Sequence, residues 1–130
     1  MSSILLDSNL LYWSFYESRF IPDTIKAEIV DADYRIVSIV SLWELGIKTA
    51  AGKLKFDLKD FIEKIDFFEM QILQVDASHI QRIMSLPRHH HRDPFDRMLV
   101  AQALAEGLML YTADKELAAY GQHVKVIERQ

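Results

Sequence analysis

The stretch DPFDRMLVAQALAEGLMLYTAD, Asp93–Asp114, contains a complete helix-to-strand passage. Pro94 suits the first helical position, where a missing amide hydrogen costs nothing. Asp93 before it is a capping residue, and Asp96 places a carboxylate in the first turn. Phe95, Met98 and Leu99 fall at i, i+3 and i+4 and predict a core face. Gly107 ends the helix. LMLYT, 108–112, then reads as a strand, and Asp114 can cap a short helix over 114–120.

The same alternation extends in both directions. SILL, 3–6, reads as a short buried strand, and 10–17 as a helix. A second helix spans 22–33, with Pro22 near its first turn. RIVSI, 35–39, is a second strand, followed by a helix over 41–51 that stops at Gly52. The segment 57–69 has apolar residues at Leu58, Phe61, Ile62, Ile65 and Phe68, a helical stripe. QILQV, 71–75, fits a strand, 76–86 a helix stopped by Pro87, and VKVI, 124–127, a last strand. Strands alternating with helices predict an α/β fold with a mainly parallel sheet.

The 130 residues fit one domain, 1–130, and a half-hydrophobic chain of this length can bury a core. No cysteine is present, which excludes disulfides and thiolate metal sites. The net charge of −4 argues against a protein that coats nucleic acid by charge, but not against an enzyme whose acids hold cations. The longest uncharged runs fall well short of the roughly 18 apolar residues of a membrane span. MSSILLD lacks the basic leader of a signal peptide. Together these features predict a cytoplasmic protein.

Four acids stand where a strand hands over to a helix or where a helix begins: Asp7, Glu44, Asp96 and Asp114. Each has a structural explanation. Asp7, Asp96 and Asp114 suit helix starts, Ser41–Glu44 reads as a capping box, and Glu44–Lys48 is an i,i+4 ion pair. Around Glu44, however, the helix is apolar on nearly every side, with one polar stripe of Ser41, Glu44 and Lys48. In a parallel sheet Asp7 and Asp114 lie beyond carboxyl ends of strands, the edge where open α/β sheets place their sites. If these ends share an edge, the carboxylates converge. Two of them ~5 Å apart repel by roughly 3 kcal/mol at an effective dielectric near 20. A cap contributes only about 1 kcal/mol. A divalent cation, Mg²⁺ or Mn²⁺, would make the crowding tolerable.

Other residues invite functional readings. His89, His90 and His91 project in different directions, which favours a polar loop over a metal site. Tyr12, Trp13, Phe15 and Tyr16 could stack bases, but their helical spacing favours core packing or an interface. Lys48, Lys53, Lys55, Arg88, Arg92 and Arg97 lie in or near the acid-bearing segments and could guide a phosphate backbone.

LLDSNLLYW, SLWELGIK, HRDPFDRMLVAQA and YTADKELAAY resemble, in order and spacing, the four acidic motifs of PIN-domain proteins. They look most like those of VapC-type toxins of toxin–antitoxin pairs. The resemblance runs from Leu5 to Tyr120. It implies a three-layer α/β/α sandwich around a parallel sheet and Mg²⁺-dependent cleavage of RNA. It implies Asp7, Glu44, Asp96 and Asp114 as the metal-binding acids, with a metal-activated water attacking phosphorus in line. Ser8 and Asn9 stand where relatives often have Thr and His or Asn. Thr112 matches a hydroxyl residue near the last acid. Asp93 is read as helix cap and outer support, and Lys48, Arg88, Arg92 and Arg97 as phosphate contacts. The implied partners are RNA, a VapB-like antitoxin and a second toxin subunit, with the aromatic helix 10–17 and FIEKIDFFEM as candidate surfaces. The rivals are a non-catalytic RNA- or protein-binding module of the same fold, and a phosphatase. An Asp-x-Asp nucleophile motif is missing after the first strand, where Asn9 stands, which weighs against the phosphatase.

Overall fold

The architecture is described from a computed structural model, over residues 2–88 and 93–130. His89, His90, His91 and Arg92 lie outside the described residues. The strands are β1 (Ser3–Leu6), β2 (Tyr34–Ser38), β3 (Gln71–Leu73), β4 (Met109–Thr112) and β5 (Val124–Val126). The helices are α1 (Ser8–Tyr16), α2 (Asp23–Asp31), α3 (Ile39–Ala50), α4 (Leu58–Phe67), α5 (Ala77–Ser85) and α6 (Pro94–Glu106). Two 3₁₀ segments, Ser18–Phe20 and Lys115–Tyr120, complete the set.

The sheet has the order β3-β2-β1-β4-β5, and every neighbouring pair is parallel. Alternate strand residues feed opposite faces. Ile4, Leu6, Val37 and Tyr111 join Leu10 and Leu11 of α1, Ile25 and Ile29 of α2, and Phe61 and Ile65 of α4 in one core. Leu5, Ile36 and Leu110 pack on the other face, with Leu99, Val100 and Ala103 of α6 and with Leu117. The expected three-layer sandwich is present.

Where boundaries differ from the sequence reading, capping explains the shift. Asp7 accepts the Leu10 amide, so α1 starts at Ser8 rather than Leu10. Ser38 ends β2 and accepts the Val40 amide, so α3 starts at Ile39. Ser41 is therefore already inside α3, and the expected Ser41–Glu44 capping box does not form. The short helix expected over 114–120 is a 3₁₀ segment with Asp114 as its N-cap. α6 matches the expected 94–106, with Asp93 as N-cap and Gly107 at φ 68° as C-cap.

The strand order reverses between β1 and β4, and a parallel sheet opens a crevice at the carboxyl ends of such strands. α6 runs back along the sheet before β4 begins, so its N-terminus returns to this same edge.

Candidate active site

β1 ends at Leu6, and Asp7 turns the chain directly into α1. Its side chain is buried, and both of its oxygens accept hydrogen bonds. Oδ1 accepts the Leu10 amide at 2.7 Å; Oδ2 accepts the Thr112 hydroxyl at 2.7 Å and the Ala113 amide at 3.1 Å. One carboxylate thus both caps α1 and bridges to the end of β4 across the switch point. Burial pushes the Asp7 carboxyl above its ordinary range. The hydrogen bonds from Leu10, Thr112 and Ala113 pull it back, and the charge of Glu44 pushes it up again.

Glu44 lies within α3 and is 9% exposed. The Ser8 hydroxyl, in the first turn of α1, donates to its Oε1 at 2.5 Å. Lys48 Nζ, one turn further along α3, stands 3.2 Å from its Oε2. Ser8 therefore ties the second acid to the helix that the first acid caps. One turn before Glu44, the buried Ser41 hydroxyl has no hydrogen-bond partner among the described residues.

Thr112 links a third acid to this point. Its Oγ1 accepts the Asp114 amide at 3.0 Å while donating to Asp7. Asp114 Oδ1 accepts the Glu116 amide, which starts the 3₁₀ turn. Asp96 stands in the first turn of α6, where Asp93 Oδ1 accepts the amides of Phe95 and Asp96. The ring of Phe95 meets Trp43 edge-on at 4.9 Å, which seats that turn against α3 beside Glu44.

Of the predicted residues, Asp7, Ser8, Glu44, Lys48 and Thr112 are joined by direct contacts. Asp114 joins them through its backbone, and Asp96 approaches through packing of its neighbour. The acids do not close into a tight set. Among the described residues, the trio with ligand atoms within 4.8 Å of one another is Asp76, His79 and Glu106. Glu106 ends α6, so that trio lies at the opposite end of the helix from Asp96. Asn9 and Arg88 are exposed. Arg97 is occupied structurally: Nη1 donates to the Pro87 carbonyl and the Tyr120 hydroxyl, and Nη2 to the Leu86 carbonyl. Lys48 is half-buried and pairs with Glu44.

Two features escaped the sequence reading. The Ala113 amide is a backbone donor and carries no side-chain signal. The environment of α3 is inverted: Glu44 and Ser41 are buried, whereas Trp43 and Ile47 are 63% and 47% exposed. The sequence reading left the polar stripe open between a cleft and solvent. In the structure Ser41 and Glu44 are buried, Glu44 meets Ser8 of α1, and part of the helix's apolar surface faces outward.

The donor chemistry suits a hard divalent cation. Carboxylate and hydroxyl oxygens surround the crevice, two of the carboxylates are buried next to each other, and one buried hydroxyl is unsatisfied.

A wholly parallel α/β/α sandwich with an acidic crevice at its switch point is the class that fold and site define. The PIN domain family profile matches residues 4–122, and the chain belongs to that family. Ribonuclease VapC22 from Mycobacterium tuberculosis (strain ATCC 25618 / H37Rv) is 25% identical over 130 residues, covering 92% of this chain and 93% of the relative. The fold also matches VapBC2 from Rickettsia felis bound to a DNA fragment from their promoter, with TM-score 0.69 at 16% identity, covering 98% of each chain. DNA-bound VapBC from Salmonella typhimurium matches with TM-score 0.71 at 16% identity, covering 97% of this chain and 98% of that one.

Proposed function

We propose that the chain is a divalent-cation-dependent endoribonuclease, the toxin of a VapBC-type pair, acting as one domain in the cytoplasm. The observation that carries this reading is the buried Asp7 carboxylate beside buried Glu44 at the switch point. Burying two neighbouring carboxylates is costly, and a divalent cation shared between them would offset that cost. Membership of the PIN family and the ribonuclease named among its relatives supply the substrate class.

In this reading Asp7 and Asp96 hold the cation, Mg²⁺ or Mn²⁺, and Glu44 and Asp114 complete the site. Bound there, the ion would supply positive charge against a phosphodiester and lower the pKa of an attacking water. Thr112, Ser8 and Ala113 orient the carboxylates, Asn9 stands at the rim, and Asp93 fixes the helix that presents Asp96. Lys48, Arg88, Arg92 and Arg97 are the phosphate contacts of this reading, and Arg97 also donates to the Leu86 and Pro87 carbonyls. The solved structures of like fold are VapBC complexes, which supports a VapB-like antitoxin as partner; pairing with a second toxin subunit belongs to the same reading. Among the described residues no helix is long and apolar enough to cross a membrane.

The test is cleavage of an RNA pool in Mg²⁺. Asp96→Asn should lower the rate by ~100-fold or more, as loss of a preorganised charge-stabilising group does, and EDTA should abolish it. Equal cleavage by wild type in EDTA and by the variant would overturn the proposal. A folded protein that binds RNA without cutting it would favour the non-catalytic module.

A further inference from the structure

The chain has several helical ion pairs, and Glu44–Lys48 differs from them. In Lys26–Asp23 the acid is 94% exposed, and in Lys64–Asp60 it is 43% exposed. Water screens such pairs, and they contribute little. The Glu44 side chain is only 12% exposed, and its charge bears on the buried Asp7 beside it. Ser8 engages Oε1, and Lys48 Nζ supplies the positive charge at Oε2. No other ammonium or guanidinium within 4.0 Å of either acid is found among the described residues. Lys48 thus supplies the counter-charge of Glu44, while Asp7 beside it is held by hydrogen-bond donors.

We propose that Lys48 is the internal counter-ion of the acidic site: it holds Glu44 until a divalent cation takes its place, and so sets the cation affinity. This rests on the divalent-cation reading above. An ammonium and a dication cannot share Glu44 Oε2, because they would repel at a few ångströms in a poorly screened crevice. Lys48 can leave at small cost. Its side chain is 36% exposed, and its flexible four-carbon stem can carry the ammonium outward. Release of the lysine also frees a positive charge at the rim of the site, where a phosphate backbone would approach. Lys48 is therefore a positioning residue in the unloaded site and a phosphate contact in the loaded one. Cation and RNA binding then favour each other through a single side chain.

The experiment is thermal melting and calorimetric titration of the whole chain against Mg²⁺. K48M should bind Mg²⁺ with a midpoint roughly tenfold lower than wild type, because the competing charge is gone. It should also melt lower in EDTA, where Glu44 has lost its counter-charge. K48R keeps the charge and should return the midpoint toward wild type. K48Q replaces K48M if the latter does not fold. A midpoint unchanged or raised in K48M, with wild type still stabilised by Mg²⁺, overturns the counter-ion role alone. Wild type that neither binds nor is stabilised by Mg²⁺ overturns the cation reading and this proposal together.

Discussion

A carboxylate taken out of water needs donors or a counter-ion, and Asp7 shows both needs. Capping and chemistry look like alternatives in the sequence. In the structure the two Asp7 oxygens differ: Oδ1 caps the start of α1, and Oδ2 accepts from Thr112 and Ala113 at the end of β4. This arrangement has a pH signature. Burial, the largest cause, raises the folded-state value above the ordinary 3.8. The folded protein then holds that proton more tightly than the unfolded chain does. With EDTA present, stability should fall as pH rises from about 3.8 through the raised value. Glu28, Asp60 and Asp76, whose carboxyls are lowered mainly by hydrogen bonds from Lys125, Tyr16 and Ser78, act in the opposite sense. Their stabilisation is lost as pH falls. Subtracting the melting profile of Asp7→Asn from that of wild type should isolate the Asp7 contribution. A flat difference across this window would contradict it. Asp7, Asp96 and Asp114 stand out in the sequence because each lies at an element start, whereas Glu44, well inside α3, stands out by the polar stripe it shares with Ser41 and Lys48. The Ser8–Glu44 contact was not legible there, because it joins residues 36 apart in the chain.

At the scale of elements, α6 shows how local chemistry presents a functional group. Asp93 satisfies two of the amides that a helix start leaves open, and Pro94 removes the need for another. Asp93→Ala should cost about 1 kcal/mol in urea denaturation, whereas Asp93→Asn, a comparable cap, should cost little. A large loss of RNA cleavage in a fully stable Asp93→Asn would show that this carboxylate acts on more than the helix. α6 was readable to the residue because both its ends carry strong signals, proline after aspartate and a left-handed glycine. α3 was misplaced because Ser38 and Ser41 are both plausible caps, and only the end of β2 selects Ser38. Its exposed Trp43 and Ile47 were also unreadable, since periodicity shows which residues share a face but not which face packs inward.

Across the whole molecule, the Asp76–His79–Glu106 trio joins α5 to the far end of α6. His79 is fully buried; its Nδ1 accepts the Asp76 amide at 3.1 Å, and its Nε2 lies 2.8 Å from Glu106 Oε2. Both ring nitrogens are used, on opposite sides, so the trio works as a latch between helices. His79→Ala should destabilise by about 2–4 kcal/mol, combining a cavity with unpaired polar groups, while leaving the Mg²⁺ midpoint unchanged. A shifted midpoint would instead place the latch in the cation site. The alternation of strands and helices, the parallel sheet and the caps of α6 follow from local pattern, because propensity, periodicity and capping act over a few residues. The strand order, the bridging of Asp7 to Thr112, the burial of Glu44 and its capture by Ser8 and Lys48 on one side of a crevice depend on the folded whole. They join residues up to 105 positions apart, and no local rule specifies which distant strand end will close beside Asp7.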